Sequence, residues 1–462
     1  MVKRILFVNA INPFVEVEQR YPNLGLGYLV SSLRNNFGKN MFDFKIIDRN
    51  VESEILDFKP DLIGITSVSQ NYNYAKKYAK FAKNRNIPII VGGVHISMIP
   101  QSLSPDMNVG CIGEGEKTIL ELFSVFLDKG RFLNEDLADI NGIIYRKDNN
   151  LVINSSRKQI ENMDKIVFPA RDMFKIGRHS YMFTSRGCPY NCIFCASSRF
   201  WNKVRFFSAE YVIKEIEELI SKHKVKLISF FDDLFIADKQ RLKEIVDLIK
   251  KKKIDKKVKF TCSARANLIT EEIASLLKEM GVLAVGLGLE SGSDKTLKYL
   301  KGGNVSVEDN INAIAILKKY NIAANASFVI GSPKETKEDI LETYNFIKNN
   351  PLSLFDIYVL TPYPGTETWE YARKRNLVSN DMDWSKLNVN FGKNLKQSII
   401  LSEVLNREEI ISIYRKFQLL RLFKNIKNVW FTPQVSDLPK MIFKMIQERL
   451  FLFKRIFSYN KK

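Results

Sequence analysis

The sequence predicts an α/β protein with a doubly wound parallel sheet at its N-terminus, a partial (β/α)6 barrel at its centre and a helical C-terminal region. Three observations predict this. Short apolar runs closed by glycine or polar turns alternate with amphipathic stretches over the first 125 or so residues. The alternation returns near Tyr181 with six further units, in fewer residues than the roughly 250 of a closed barrel. Beyond about residue 385 the strand signals fade.

The N-terminal strands are expected at Ile5–Asn9, Phe44–Asp48, Leu62–Ser67, Pro88–Gly92 and Val109–Gly113, with helices such as Leu26–Asn35 and Tyr74–Asn84 between them. Sheets built this way bind ligands at the carboxyl ends of their strands. Ile140–Asn154 reads as a hairpin turning at Asp148-Asn149-Asn150 and is taken as part of a linker. The barrel strands are expected at Tyr181–Thr184, Leu227–Phe231, Lys259–Ser263, Ala284–Leu289, Ser327–Gly331 and Asp356–Thr361, with helices such as Ala209–His223 and Thr270–Met280. The domain limits that follow are 1–138, a linker over 139–178, the barrel over 179–375 and the helical region over 376–462.

Five cysteines in 462 residues exclude a disulfide framework, and three of them fall within eight residues. That clustering points to metal ligation in a reducing compartment. The apolar run Ile5–Val8 is too short for a signal peptide, and no run approaches the ~20 residues of a spanning helix, so a cytoplasmic protein is expected. The formal net charge is +20, and residues 385–462 carry 16 Lys/Arg against 5 Asp/Glu. Such charge attracts nucleic acid or anionic lipid, although a lysine-rich composition gives the same excess. No recognised nucleic-acid module surrounds it, so no nucleic-acid partner is expected.

The chemistry centres on Ser185-Arg186-Gly187-Cys188-Pro189-Tyr190-Asn191-Cys192-Ile193-Phe194-Cys195. Thiolates are soft ligands for iron–sulfur clusters or zinc, and a structural zinc site wants a fourth ligand nearby. Three cysteines without an obvious fourth suit a cubane with one open iron; a zinc knuckle is the alternative. The Cys-x3-Cys-x-Phe-Cys spacing, placed just after the first barrel strand, resembles the radical S-adenosylmethionine superfamily. The resemblance implies that Cys188, Cys192 and Cys195 hold a [4Fe–4S] cluster whose open iron binds S-adenosylmethionine. One electron, from a donor such as flavodoxin or ferredoxin, then yields a 5′-deoxyadenosyl radical. Phe194 is expected beside the adenine.

Other segments fit the same family, which makes the barrel TIM-like. Asp232 and Asp233 end the second strand, where members often meet the substrate's ammonium group, although adjacent carboxylates are as often a solvated turn. Arg265 ends the third strand and suits a carboxylate through its planar fork. Gly286-Leu287-Gly288-Leu289-Glu290-Ser291-Gly292 resembles the Gly-x-Glu-Ser-Gly segment that faces the cofactor, which implicates Glu290 and Ser291. Gly331, in Phe328–Thr336, is expected to let the backbone approach the adenine; Ser332 and Lys334 depart from the usual Gly-Leu-Pro-Gly-Glu-Thr.

Tyr21–Leu29, Lys59–Ser67, Gly92-Gly93-Val94-His95 and Gly113-Glu114-Gly115-Glu116 occur in the order found in a subgroup that includes the anaerobic magnesium-protoporphyrin cyclase and many methyltransferases. The first domain is therefore identified as a Rossmann-like domain of the cobalamin-binding type, with Ser67, Gly92, Gly93, His95, Gly113 and Glu114 as its candidate contacts. No Asp-x-His-x-x-Gly occurs, so cobalamin is expected base-off without a histidine ligand. By analogy, the leading function is cobalamin-dependent methylation of an unactivated carbon in a small-molecule or lipid substrate. A radical cyclase, oxidase or rearrangement enzyme, with or without cobalamin, is one alternative; a non-catalytic iron–sulfur or zinc protein is another. The run Leu438–Phe457 has an apolar and a basic face, and reads either as a helix closing the barrel or as a peripheral membrane contact.

Overall fold

A computed structural model describes residues 2–13, 21–387 and 397–429. The N-terminal sheet contains β1 (Lys3–Ala10), β2 (Phe42–Ile47), β3 (Leu62–Ser67), β4 (Ile89–Gly92), β5 (Val109–Cys111), β6 (Ile143–Lys147) and β7 (Asn150–Ile153), in the order β2-β1-β3-β4-β5-β6-β7. The first five are parallel, with α1 (Leu24–Phe37), α2 (Val51–Phe58), α3 (Tyr72–Lys83) and α4 (Gly115–Lys129) packed on the two faces. The strand order reverses between β1 and β3, which opens a crevice at their carboxyl ends.

The hairpin taken as linker belongs to this sheet. Its strands β6 and β7 run antiparallel, with Tyr145 opposite Val109 and Ile143 opposite Cys111. Ile143, Ile144 and Tyr145 are buried, so the hairpin covers the edge that β5 would otherwise leave open.

The second sheet is a half-barrel. Its strands β8 (His179–Met182), β11 (Leu227–Phe230), β12 (Lys259–Ala264), β13 (Val282–Glu290), β14 (Ala323–Ile330) and β15 (Leu354–Val359) are all parallel and lie in sequence order. A two-stranded ribbon, β9 (Ser185–Arg186) with β10 (Arg205–Phe206), stands apart and frames the cysteine segment. Outside the barrel lie α5 (Ala209–His223), α6 (Lys239–Lys251), α7 (Glu271–Met280), α8 (Asp294–Lys301), α9 (Val307–Lys319) and α10 (Lys337–Asn349). Residues of period two separate the faces: Phe260, Cys262 and Ala264 are buried, whereas Thr261 and Ser263 stay half-buried on the concave side.

Among the described residues of the C-terminal region, irregular chain precedes a helix. After α11 (Glu367–Lys374), Trp384, Leu387, Ile399 and Leu401 join Leu6, Val8, Ile63 and Ile65 in one core shared by both sheets. Only then does α12 (Arg407–Val429) lie alongside β15, with Arg421 2.9 Å from Asp356. The 438–457 segment lies outside the described residues. Among the described residues no helix is long and apolar enough to cross a membrane.

The true linker is pinned between the layers. Ala170 N donates to Gly27 O at 3.0 Å, and Arg171 pairs with Glu215 of α5 at 2.7 Å, both side chains fully buried. The Tyr181 hydroxyl of β8 donates to Pro22 O and accepts from Leu24 N.

Gly64 of β3 shows how tightly the crevice is built, because a Cβ there would sit 2.5 Å from the Phe7 ring of β1. Gly64→Ala is expected to cost about 1–3 kcal/mol, the usual penalty of overpacking, read as a lower urea midpoint with an unchanged slope.

Candidate functional site

The cysteine segment is a loop held at several points. Gly187 has φ +98°, and a Cβ there would meet Lys203 O at 2.9 Å, so glycine is required immediately before Cys188. Ile193 N donates to Leu300 O at the end of α8, and Thr368 N of α11 donates to Ile193 O. Cys195 N donates to Cys192 O at 3.1 Å. The three cysteines are half-buried. Burial raises the Cys188 thiol and pushes Cys195 up to about 11.

Arg265 of the β12 end reaches this loop. Its guanidinium stacks 4.0 Å from the Tyr190 ring centroid, donates from Nη1 to Cys192 Sγ at 3.5 Å and from Nε to Asn267 at 3.1 Å. Nη2 is buried without a partner. Three adjacent thiols, with an unsatisfied guanidinium nitrogen beside one of them, are chemically suited to an iron–sulfur cluster and a carboxylate-bearing ligand on it. Among the described residues no three His, Cys, Asp or Glu groups are gathered as a single-ion site. A cubane asks for a wider spacing, since each thiolate binds its own iron.

The two aspartates that the sequence left equivalent separate in space. Asp232 is buried and accepts from Thr184 N at 2.6 Å and from the Thr184 hydroxyl, so it braces the end of β8. Asp233 lines the cavity described below and accepts from Ser197 at 2.5 Å. Glu290 has a left-handed φ of +64°, an unusual conformation for a non-glycine residue, and lies 3.7 Å from Lys301. Burial raises its carboxyl, with Lys301 and Arg265 opposing.

Other expectations meet packing instead. Ser291 is buried and hydrogen-bonded to Thr343 at 3.0 Å, against α10. Gly331 has φ +85°, and a Cβ there would face Val359 and Ile410 at 3.4 and 3.6 Å. Its N–H donates to Glu335 at 2.6 Å. Phe194 is partly buried against the core shared by the two sheets.

A cavity of about 350 Å³ joins the two domains. One wall is the carboxyl edge of the N-terminal sheet, with Gly64, Thr66, Gly92, Gly93, Gly113 and Gly115; the other includes Phe183, Ser185, Arg186, Trp201, Phe231 and Asp233 from the barrel side. A Cβ at Gly113 would meet nothing within 4 Å, whereas one at Gly93, at φ +95°, would strike Thr66 and Ser67. The glycine-lined floor suits a broad, flat ligand lying against the backbone, as cobalamin requires.

Two expected contacts are corrected here. Ser67 is buried, donates to Val68 O and does not line the cavity; Thr66 does. His95 is fully buried behind the loop, with Nδ1 3.1 Å from Ser69, Nε2 2.9 Å from Ser102, and its ring 3.8 Å from Tyr72 and 4.4 Å from Trp384. It is a core histidine, since both nitrogens are used.

Glu114 lines the cavity but is committed to a buried cluster. It pairs with Arg186 at 2.5 Å and Arg205 at 2.9 Å, and accepts from Ile160 N at 2.7 Å. Glu116 takes the other nitrogen of Arg186. Burial alone would raise the Glu114 carboxyl, but the guanidiniums and the Ile160 N–H hold it below its ordinary value. Sequence reasoning missed Arg186, although it stands in the quoted cysteine segment, and missed Arg205, which no motif flags.

Residues 182–347 match the family model of the Radical SAM superfamily, and residues 13–123 match that of the B12 binding domain. An uncharacterized methyltransferase of Pyrococcus horikoshii is 34% identical over 386 residues, covering 79% of this chain and 81% of that protein. The chain belongs to the B12-binding radical SAM family. The anaerobic magnesium-protoporphyrin IX monomethyl ester cyclase of Rubrivivax gelatinosus is 26% identical, over 91% of this chain and 78% of the cyclase. The radical SAM methyltransferase TsrM of Kitasatospora setae shares the fold at 17% identity, with a TM-score of 0.67 over 81% of this chain and 78% of that one. The cofactors of this radical SAM protein are those of its family: a [4Fe–4S] cluster, S-adenosylmethionine and cobalamin. Enzymes of the family act on small molecules and draw on a reductant.

Removing one member of the Glu114 cluster leaves a buried charge unpaired, so Glu114→Gln is expected to cost about 3 kcal/mol, measured by chemical denaturation. Burial lowers the His95 pKa to about 3, with Lys76 adding to the shift. The unfolded chain then binds the extra proton between the ordinary value of about 6.5 and that folded value, so stability falls as pH drops through this window. His95→Gln is expected to flatten that part of a stability–pH curve.

Proposed function

We propose that this radical SAM protein is a cobalamin-dependent methyltransferase acting on an unactivated carbon of a small molecule. The observation that carries this is the single cavity shared by the glycine-lined sheet edge and the barrel wall next to the cysteine loop, because a methyl donor and a radical source must reach one substrate. In this proposal Cys188, Cys192 and Cys195 ligate the cluster, and Arg265 binds the carboxylate of S-adenosylmethionine through its unsatisfied nitrogen. Glu290 helps to hold the same cofactor, and Asp233 faces the substrate. The first 138 residues carry cobalamin and residues 179–375 the cluster, with Gly92, Gly93 and Gly113 giving the corrin close access to the backbone.

When bound, the cofactors supply a 5′-deoxyadenosyl radical and a transferable methyl group. The chain's own part is to hold and shield. Phe183, Trp201 and Phe231 give the cavity a largely apolar wall, which excludes the water that would quench a carbon radical. Flavodoxin or ferredoxin is proposed as the electron donor, and the basic chain beyond residue 429 as a peripheral membrane contact.

Anaerobic reconstitution of a Cys192→Ala variant is expected to give protein without the reducible [4Fe–4S] signal in electron paramagnetic resonance. No 5′-deoxyadenosine should form with dithionite and S-adenosylmethionine. Undiminished product from that variant would remove the cluster assignment. Transfer of label from methyl-labelled S-adenosylmethionine into substrate separates methylation from cyclase or rearrangement chemistry.

A further inference from the structure

Lysine is seldom buried, because its ammonium gives up water that only a close partner replaces. Among the described residues one lysine is buried nonetheless: Lys301, the last residue of α8, with 8% of its surface exposed. The helix dipole favours a cation in the last turn of a helix, but that accounts for a solvated side chain and not for one turned inward. The Lys301 ammonium donates to Gly288 O of β13 and lies 3.7 Å from the Glu290 carboxylate. A bulge in β13 between Gly288 and Glu290, together with the left-handed φ of Glu290, folds that carboxylate back over Gly288. A Cβ at Gly288 would strike Glu290 Oε1, so glycine, carboxylate and lysine meet at one point.

The turn that carries Lys301 also supports the cysteine loop and Arg265. Leu300 O accepts from Ile193 N at 3.1 Å. Asn304 O accepts from Asn267 Nδ2 at 3.0 Å, and the same Asn267 accepts from Arg265 Nε. Arg265 is the second cation that acts on Glu290, where it opposes the upward push of burial on the carboxyl. Its Nη2 nevertheless stays without a partner. A guanidinium grips a carboxylate with two parallel hydrogen bonds, which an ammonium cannot do. Without Lys301, the buried Glu290 carboxylate would turn to Arg265, and the open nitrogen would be consumed within the protein.

We propose that Lys301 is a positioning residue: it engages Glu290 and thereby keeps the Arg265 guanidinium free for the carboxylate of S-adenosylmethionine. The inference rests on the role given to Arg265 above and adds a residue that acts only through its neighbours.

The test is equilibrium dialysis of labelled S-adenosylmethionine against the full-length, anaerobically reconstituted protein. Reductant is omitted so that no turnover occurs, and iron and sulfide are counted for each variant. Lys301→Gln is expected to keep its cluster and to bind on the order of 10-fold more weakly, the scale of one hydrogen bond to a charged group. Arg265→Gln is expected to lose at least as much. Adding Lys301→Gln to it should cost nothing further, because the lysine acts through the arginine. Adding Glu290→Gln to Lys301→Gln should recover most of the loss, since the competing carboxylate is gone. Wild-type affinity in Lys301→Gln, loss of its cluster, a further loss on the Arg265→Gln background, or no recovery with Glu290→Gln would each overturn the proposal. Wild-type affinity in Arg265→Gln would overturn the role of Arg265 itself, and with it this proposal, which separates the two failures.

Discussion

The two sheets of this protein meet through a charge cluster, and the geometry of the site depends on it. Glu114 stands at the carboxyl edge of the N-terminal sheet, while Arg186 and Arg205 belong to the ribbon that frames the cysteine loop. The side chains are nearly or fully buried, so their mutual attraction acts in a medium that screens it little. Arg186 directly precedes Gly187 and Cys188, which means that any slip between the domains is felt two residues from the first thiol. Charge pairing of this kind is exacting about direction.

Around that cluster the contact is apolar and strong. Trp384 lies fully buried, stacked on Trp369 at 6.0 Å, and brings the segment after the barrel back into the core of the N-terminal sheet. The cavity therefore has walls from two domains that share one apolar core. His95 packs in that core with both ring nitrogens on serine hydroxyls and does not line the cavity.

Much of this was legible in the sequence. Strand alternation located both parallel sheets, and the order of the glycine-bearing segments located the edge that lines the cavity. The cysteine spacing indicated the cluster because it resembles that of the radical SAM superfamily, whereas three thiolates taken alone would also have suited zinc. Local patterns failed where a residue's role is set by a partner far along the chain. Arg205 meets Glu114 across 91 residues, and nothing near either in sequence announces the pair. Ser291 and Gly331 stand in segments with a family likeness, yet their immediate neighbours are helices α10 and α12. The hairpin at 143–153 looked like a connector because pairing of β5 with β6 is invisible without the third dimension.

The half-barrel never closes, so β8 and β15 are its two terminal strands. A terminal strand exposes a ladder of unused amide and carbonyl groups, a template onto which another polypeptide can zip. Helix α12 lies beside β15 and is clasped there by Arg421 on Asp356 and by Lys424 on the carbonyls that close α10. The helix thus acts as a guard rail. It lets an incomplete barrel remain incomplete, with room inside for cargo, without inviting self-association along its last strand.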